Sequence, residues 1–239
     1  MSFLIPRDYA TIFLDGAVIT LMVSIMIMSS ETRKRDRDDD RFFFILLVLG
    51  CVLAVSEIMG YLFEEKTLPG SWILSTIGMT VYYLAYIMTG IVWNQYCRIR
   101  FKFKGISSES IMRPAYIPGA VMMALVVINI FTGWLFSYDK SAFYHRGPLY
   151  LLLHVAFIVY VGVGFFHIIR YRNAQSGKTV IPVWVYILPV VFGIVFTFAI
   201  PGSASFGPLG IALCIAFTHI GTTNEVLVIN YNKEKAANK

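Results

Sequence analysis

The stretch FFFILLVLGCVLAVSEIMGYLF, residues 42–63, decides the fold class of this chain. It contains one acidic residue, Glu57, and no basic residue. A helix that crosses the hydrocarbon core of a bilayer needs about 20 predominantly apolar residues. The stretch therefore predicts a transmembrane helix that carries one carboxyl group inside the membrane.

Six further apolar runs of similar length predict the rest of the fold. Only 14 % of the residues are charged, whereas soluble proteins average about a quarter. The first run is too long for a signal-peptide core and follows a single arginine, so we expect it to be retained. The chain is thus predicted to be an all-α membrane protein of the cell membrane, a multi-pass, seven-transmembrane-helix bundle surrounded by the lipid bilayer. The other six runs cover residues 9–29, 72–96, 114–136, 148–169, 180–200 and 207–229.

The positions of the basic residues predict the orientation. The segments 30–41, 97–113, 170–179 and 230–239 contain 16 of the 20 Lys and Arg residues. These segments alternate with connections that are poor in both residues. Because cytoplasmic loops carry the excess of Lys and Arg, the N-terminus is expected outside and the C-terminus in the cytoplasm. The net charge of +6 follows from this loop distribution, so we expect no nucleic-acid partner.

Four predicted helices each place a polar residue at one depth. At 1.5 Å per residue, these side chains lie about 9–10 Å below the outer surface. They are Asp15, Glu57, Asn129 and His154. Ionisable groups inside a membrane are costly and suggest a functional site. The alternative is that they form hydrogen bonds between helices and hold the bundle together.

Aromatic residues near this depth extend the candidate ligand site. Tyr82 and Tyr86 share one helix face, which Thr89 and Trp93 continue, and Tyr150 lies one turn from His154. We expect an outward-facing cavity with tyrosine walls and with Arg146 at its mouth.

A second polar group is predicted nearer the cytoplasm. It includes Asn94, His167, His219 and Thr222, which either relay helix movement or reach the inner interface. On the first span, Gly16, Thr20 and Ser24 form a stripe of small residues, which predicts close contact with another helix.

Several chemistries find no support in the sequence. The last span, 207–229, lacks the lysine that a retinal protein needs. The histidines have no metal-ligand spacing, and neither a phosphate-binding loop nor a hydrolase motif is present. Cys51, Cys97 and Cys214 are expected to be small core residues. We therefore expect no catalytic residues, no metal and no cofactor, although Asp15, Glu57 and His154 leave a membrane enzyme as the least favoured alternative.

Two segments carry a resemblance to a known family. NIFTGWLFSYDKSAFYHRGPLY, residues 129–150, resembles the outer loop of the seven-helix N-terminal sensor region of bacterial sensor histidine kinases and diguanylate cyclases. A Tyr-x-Arg-Gly-Pro-Leu-Tyr pattern recurs in that loop. NKEKAANK, residues 232–239, is similar to the linker that precedes a kinase dimerisation helix.

The resemblance implies a non-enzymatic sensory input domain. Residues 1–229 would form the sensory domain, and residues 230–239 would begin a helical linker to a cytoplasmic kinase or cyclase module, in cis or in trans. The domain would detect an extracellular or membrane-borne small ligand and act as a homodimer. The chain departs from the family in lacking a phospho-acceptor segment, an ATP-binding module and a cyclase module. A small-solute transporter or channel-like protein remains the alternative from a different class.

Overall fold

The computed structural model of the chain describes residues 7–32, 38–63, 69–100, 109–174, 188–193, 195 and 207–237. Over these residues the protein is helical apart from one short β-hairpin and its turns, which confirms the all-α class. The helices are α1 (Arg7–Thr32), α2 (Asp38–Phe63), α3 (Ser71–Arg100), α4 (Glu109–Thr132), α5 (Tyr150–Ala174), α6 (described at 188–193) and α7 (Gly207–Ala237).

Three helices in the described part of the chain are long and apolar enough to cross a membrane. Their membrane-compatible segments are Tyr9–Ser29, Asp40–Phe63 and Ser71–Arg100. Shorter apolar helical segments lie at Tyr116–Thr132, Tyr150–Phe166 and Gly207–Gly221. The three long segments indicate a membrane protein. The predicted run 180–200 lies mostly outside the described residues.

Large apolar side chains cover much of the protein's outer surface. Phe13 is 76 % exposed and Phe131 is 87 % exposed, although each belongs to an apolar helix. Soluble monomers rarely expose contiguous apolar patches larger than a few hundred Å². Lipid tails cover such side chains at no cost, so this surface agrees with a membrane environment.

Helix α3 lies at the centre of the packing. It contacts α2, α4 and α5, while α1 packs against α2 and α7. The contact between α2 and α3 depends on Gly78, because a Cβ atom there would lie 3.2 Å from the Gly60 nitrogen and the Ser56 carbonyl oxygen of α2. A helix pair approaches this closely only where a side chain is missing.

The connection between α4 and α5 contains an unpredicted β-hairpin. Strand β1 (Phe136–Tyr138) pairs antiparallel with β2 (Tyr144–Arg146). The predicted run 114–136 is therefore wrong at its end, since α4 stops at Thr132. Gly133 has a φ of 63° and its N–H donates to the Asn129 carbonyl, which is how helices commonly end.

The small-residue stripe on α1 does not form the expected helix contact. A Cβ atom on Gly16 would have no neighbour within 4 Å, and Thr20 and Ser24 are exposed. Their hydroxyls donate to the carbonyls of Gly16 and Thr20, four residues earlier, at 2.9 and 2.8 Å. Because each hydroxyl is satisfied within its own helix, the stripe can face the outside.

Helix α7 runs without a break from Gly207 to Ala237. Its 31 residues span about 46 Å at 1.5 Å per residue. The hydrocarbon core of a bilayer is about 30 Å thick. The helix is thus longer than a membrane crossing requires, and its final residues are polar.

Candidate functional site

Six of the predicted site residues come together between α1, α2, α3 and α5. We call this group the outer cluster, and its members are Asp15, Glu57, Tyr82, Tyr86, Tyr150 and His154. Five of the six are buried and His154 is half-buried, so these side chains lie on the sides of their helices that face other helices. The site is therefore built from single polar side chains on otherwise apolar helices.

The acidic half of the outer cluster is buried. Asp15 on α1 is 1 % exposed and Glu57 on α2 is 4 % exposed. Both carboxyl groups lie close enough to the Tyr82 hydroxyl on α3 to act on it electrostatically. Asp15 Oδ2 has no hydrogen-bond partner among the described residues. A buried carboxyl oxygen without a hydrogen-bond partner is unusual, so the acidic half of the cluster is a candidate ligand site.

The aromatic half of the outer cluster centres on His154. The Tyr86 hydroxyl and His154 Nδ1 are 3.4 Å apart, and the rings of Tyr150 and His154 meet edge to face at 4.9 Å. The Tyr82 and Tyr86 rings stack at 6.1 Å, which confirms that they share a face. Tyr150 also lies within electrostatic range of Glu57, so the two halves form one group.

The β-hairpin covers one end of this cluster. The hydroxyls of Tyr144 on β2 and Tyr83 on α3 are 3.1 Å apart, and both lie within hydrogen-bonding reach of Tyr150. The guanidinium carbon of Arg146 lies 5.0 Å from the centre of the Tyr150 ring. Burial raises the pKa of Tyr144, so its phenol stays neutral at physiological pH. Arg146 is exposed on β2 and contacts the outer cluster through Tyr150.

Asn129 lies apart from the outer cluster. Its Nδ2 donates to the Phe136 carbonyl at 2.8 Å, and its Oδ1 accepts from the Leu135 N–H at 2.6 Å. These bonds tie the end of α4 to the start of β1. Asn129 was predicted at the same depth as the other three polar residues, but its side chain points toward the hairpin and not toward the outer cluster. Its amide holds the hairpin in place.

No protein-family model, curated protein or solved structure matches this chain. Its functional assignment therefore depends on its own residues and their geometry.

The described residues also contain a small apolar cavity one level below the outer cluster. Its volume is about 20 Å³, enough for about one water molecule. Phe157 stacks on Tyr86 at 4.0 Å and also borders the cavity, so the cavity begins directly under the cluster. The residues that line it come from five helices and are Leu46, Thr89, Trp93, Phe157, Val161, Val190, Ile211, Cys214 and Ile215.

The inner polar residues differ in their surroundings. His219 on α7 stacks against Phe43 on α2 at 5.6 Å, and Phe43 in turn meets Tyr96 on α3 at 5.8 Å. Asn94 is buried, and its Oδ1 has no hydrogen-bond partner among the described residues. The side chains of His167 and Thr222 lie outside those that the structure describes.

The cysteines and histidines of the described residues give no metal centre. No three His, Cys, Asp or Glu side chains in that part of the chain form a group that could hold a metal ion. All three cysteines are free, with Cys97 and Cys214 buried as expected for core residues.

Sequence reasoning missed the contribution of Tyr83 and Tyr144. Tyr83 lies beside Tyr82 but on another face of α3, where it contacts Phe136 of β1 at 5.2 Å. The hairpin folds back onto this face, and no helical period signals such a contact.

Proposed function

We propose that this chain is the sensory input domain of a multi-pass membrane protein. In this proposal seven helices cross the bilayer, with the N-terminus outside and the C-terminus in the cytoplasm. The outer cluster detects a small ligand from the outer side or from the membrane. Helix α7 then passes the change to a cytoplasmic kinase or cyclase module, and the domain works as a homodimer because such modules act in pairs.

The observation that carries this proposal is the outer cluster itself. Buried polar side chains from α1, α2, α3 and α5 converge on one place, and Asp15 contributes an oxygen with no hydrogen-bond partner among the described residues. Polar side chains that only hold helices together normally have hydrogen-bond partners, and this oxygen has none in that part of the chain. The length of α7, which exceeds a membrane crossing, supports a connection to a module beyond it.

The packing offers a route from the outer cluster to α7. Phe157 contacts Tyr86 of the cluster and borders the small cavity, whose opposite wall includes Ile211 and Ile215 of α7. Farther inward, His219 connects α7 to Phe43 of α2. A ligand changes the output only if it binds one packing of these helices better than another.

A fusion of residues 1–239 to a reporter kinase or cyclase tests this proposal. We expect Glu57→Gln and His154→Phe to change the basal output several-fold, since the first removes a titratable carboxyl group from the outer cluster and the second removes the hydrogen-bonding ring nitrogens. Thr132→Val is the control, because Thr132 is exposed and its hydroxyl bonds only within α4. Unchanged output in both cluster variants, with normal membrane insertion, would contradict a sensory role.

A further inference from the structure

The outer cluster combines two buried carboxyl groups with a row of tyrosines. Asp15 of α1 and Glu57 of α2 are both buried, and both carboxyl groups act electrostatically on Tyr82 of α3. Ionised carboxylates lose their hydration when they are buried, and two of them in one place also repel each other. Binding one proton removes one of the two charges. The pair is therefore suited to take up and release a proton.

The packing around the pair favours a proton over a larger ligand. Asp15, Glu57, Tyr82 and Tyr86 are all buried, and the cavity described above lies one level deeper, beside Phe157 and Trp93. A metal ion would need several ligands, and no three suitable side chains meet within the described residues. A proton needs neither a cavity nor a ligand shell.

A row of polar side chains leads from the hairpin toward the carboxyl pair. The Tyr144 and Tyr83 hydroxyls are 3.1 Å apart, and both lie within reach of Tyr150. Next to Tyr150 lies His154, whose Nδ1 is 3.4 Å from the Tyr86 hydroxyl. Tyr86 stacks on Tyr82, which faces both carboxyl groups. Hydroxyl and imidazole groups both donate and accept hydrogen bonds, so this row places groups that can pass a proton between the hairpin and the pair.

We infer that the ligand of the outer cluster is a proton, which the pair of Asp15 and Glu57 takes up from the outer side through the row of tyrosines and His154. The inference rests on the proposed sensory function and names its stimulus. Proton uptake changes the charge between α1, α2 and α3 and so changes how these helices pack. Because α1 contacts α7, this change reaches α7. The described titratable and charged groups around the pair are Tyr82, Tyr83 and Tyr86 of α3, Tyr150 and His154 of α5, and Tyr144 and Arg146 of the hairpin.

Infrared spectroscopy of the whole chain in lipid tests the inference directly, because a protonated carboxyl group has its own C=O absorption. We expect this absorption to change between about pH 6 and about pH 9 in the wild-type chain, a range that lies above the titration of exposed carboxyl groups. The double variant Asp15→Asn, Glu57→Gln should lose the change, since the amides keep the shape but do not titrate. Asp139→Asn is the control, because it removes an exposed carboxyl group on the same side and should keep the change.

Two results would overturn the inference. One is a carboxyl absorption that stays constant with pH in the wild-type chain. The other is a pH-dependent change that persists in the double variant, provided that circular dichroism shows the same helix content. His154→Phe adds a kinetic readout, since it interrupts the row: the absorption change after a pH jump should become slower, while its final amplitude stays the same. An unaltered rate would refute the proposed path.

The same variants separate this inference from the proposed function. If the absorption titrates but the output of the reporter fusion is the same at all pH values and in all cluster variants, the proton site stands and the sensory role fails. If the cluster variants change the fusion's output while the carboxyl absorption never titrates, the sensory role stands and the proton is not its stimulus.

Discussion

At the scale of single residues, the buried polar side chains divide into two kinds. Asn129 is satisfied by the backbone of Leu135 and Phe136, and it holds the hairpin to the end of α4. Asp15, in contrast, presents a buried oxygen that no described residue bonds. Depth in the membrane is the same for both by the sequence estimate, so only the direction of each side chain separates a structural role from a proposed ligand site.

The structural role of Asn129 predicts a stability loss. Asn129→Ala leaves the Leu135 N–H and the Phe136 carbonyl without their partner, at a cost of about 1–3 kcal/mol for each buried group. We expect a lower thermal unfolding temperature of the purified protein in detergent. Thr132→Val, one turn away on an exposed site, should leave this temperature nearly unchanged. Equal temperatures for the two variants would contradict the assignment.

The Asp139 carboxylate makes the hairpin turn sensitive to acid. The N–H groups of Phe143 and Ser141 donate to it at 3.0 and 2.8 Å, and Ala142 in this turn has a φ of 58°. The bond from the Phe143 N–H is the main reason that the pKa of Asp139 is lowered from its ordinary 3.8, and the nearby His145 adds to it. A lowered pKa stabilises the turn above the ordinary value, and this contribution is lost as the pH falls through the lowered pKa.

Amide exchange can measure this effect. The Ser141 and Phe143 amides should exchange faster as the pH drops below the ordinary range of aspartate, beyond the intrinsic change seen in unfolded peptides. Asp139→Asn should show no such extra acceleration, because the amide oxygen still accepts both bonds and does not titrate. The same acid response in the variant would assign the effect to another group.

At the scale of elements, the helix contacts depend on a few glycines with no room for a side chain. Gly78→Ala places a methyl group 3.2 Å from backbone atoms of α2, so α2 and α3 must separate, and we expect a destabilisation of about 1–3 kcal/mol. Gly162→Ala on α5 is a matched control, since a Cβ there has no neighbour within 4 Å. Comparing the thermal unfolding of the two variants tests this contact, and similar losses would argue against it.

Element boundaries show where periodicity stops being informative. The apolar run 114–136 does not change its composition at Thr132, yet the helix ends there. Gly133 adopts a positive φ, and Leu135 and Phe136 become buried in the hairpin and not in a helix. Apolar residues can be buried equally well in a helix or in a hairpin, so composition alone could not predict where the helix ends.

At the scale of the whole molecule, α7 is the element that extends beyond the bundle. A rigid helix transmits rotation, so its phase should matter to any module fused to it. Inserting one residue between Asn232 and Lys233 turns the following helix by about 100°, and we expect the reporter output to change several-fold. Inserting seven residues adds nearly two whole turns and should restore most of the original output. Identical output from both insertions would mean that a flexible tether, not a helix, makes the connection.

The sequence by itself determined the all-α class and the apolar helices, and it predicted which polar residues share a depth. Those properties follow from composition and from a fixed rise per residue, which are local. Only the tertiary structure decided which of these residues meet. It buried Asp15 and Glu57 within electrostatic range of Tyr82, set Asn129 apart, and brought Tyr144 onto Tyr83. The physical reason is that packing against neighbouring helices sets the rotation of each helix about its axis. That rotation cannot be predicted from the chemistry of single residues.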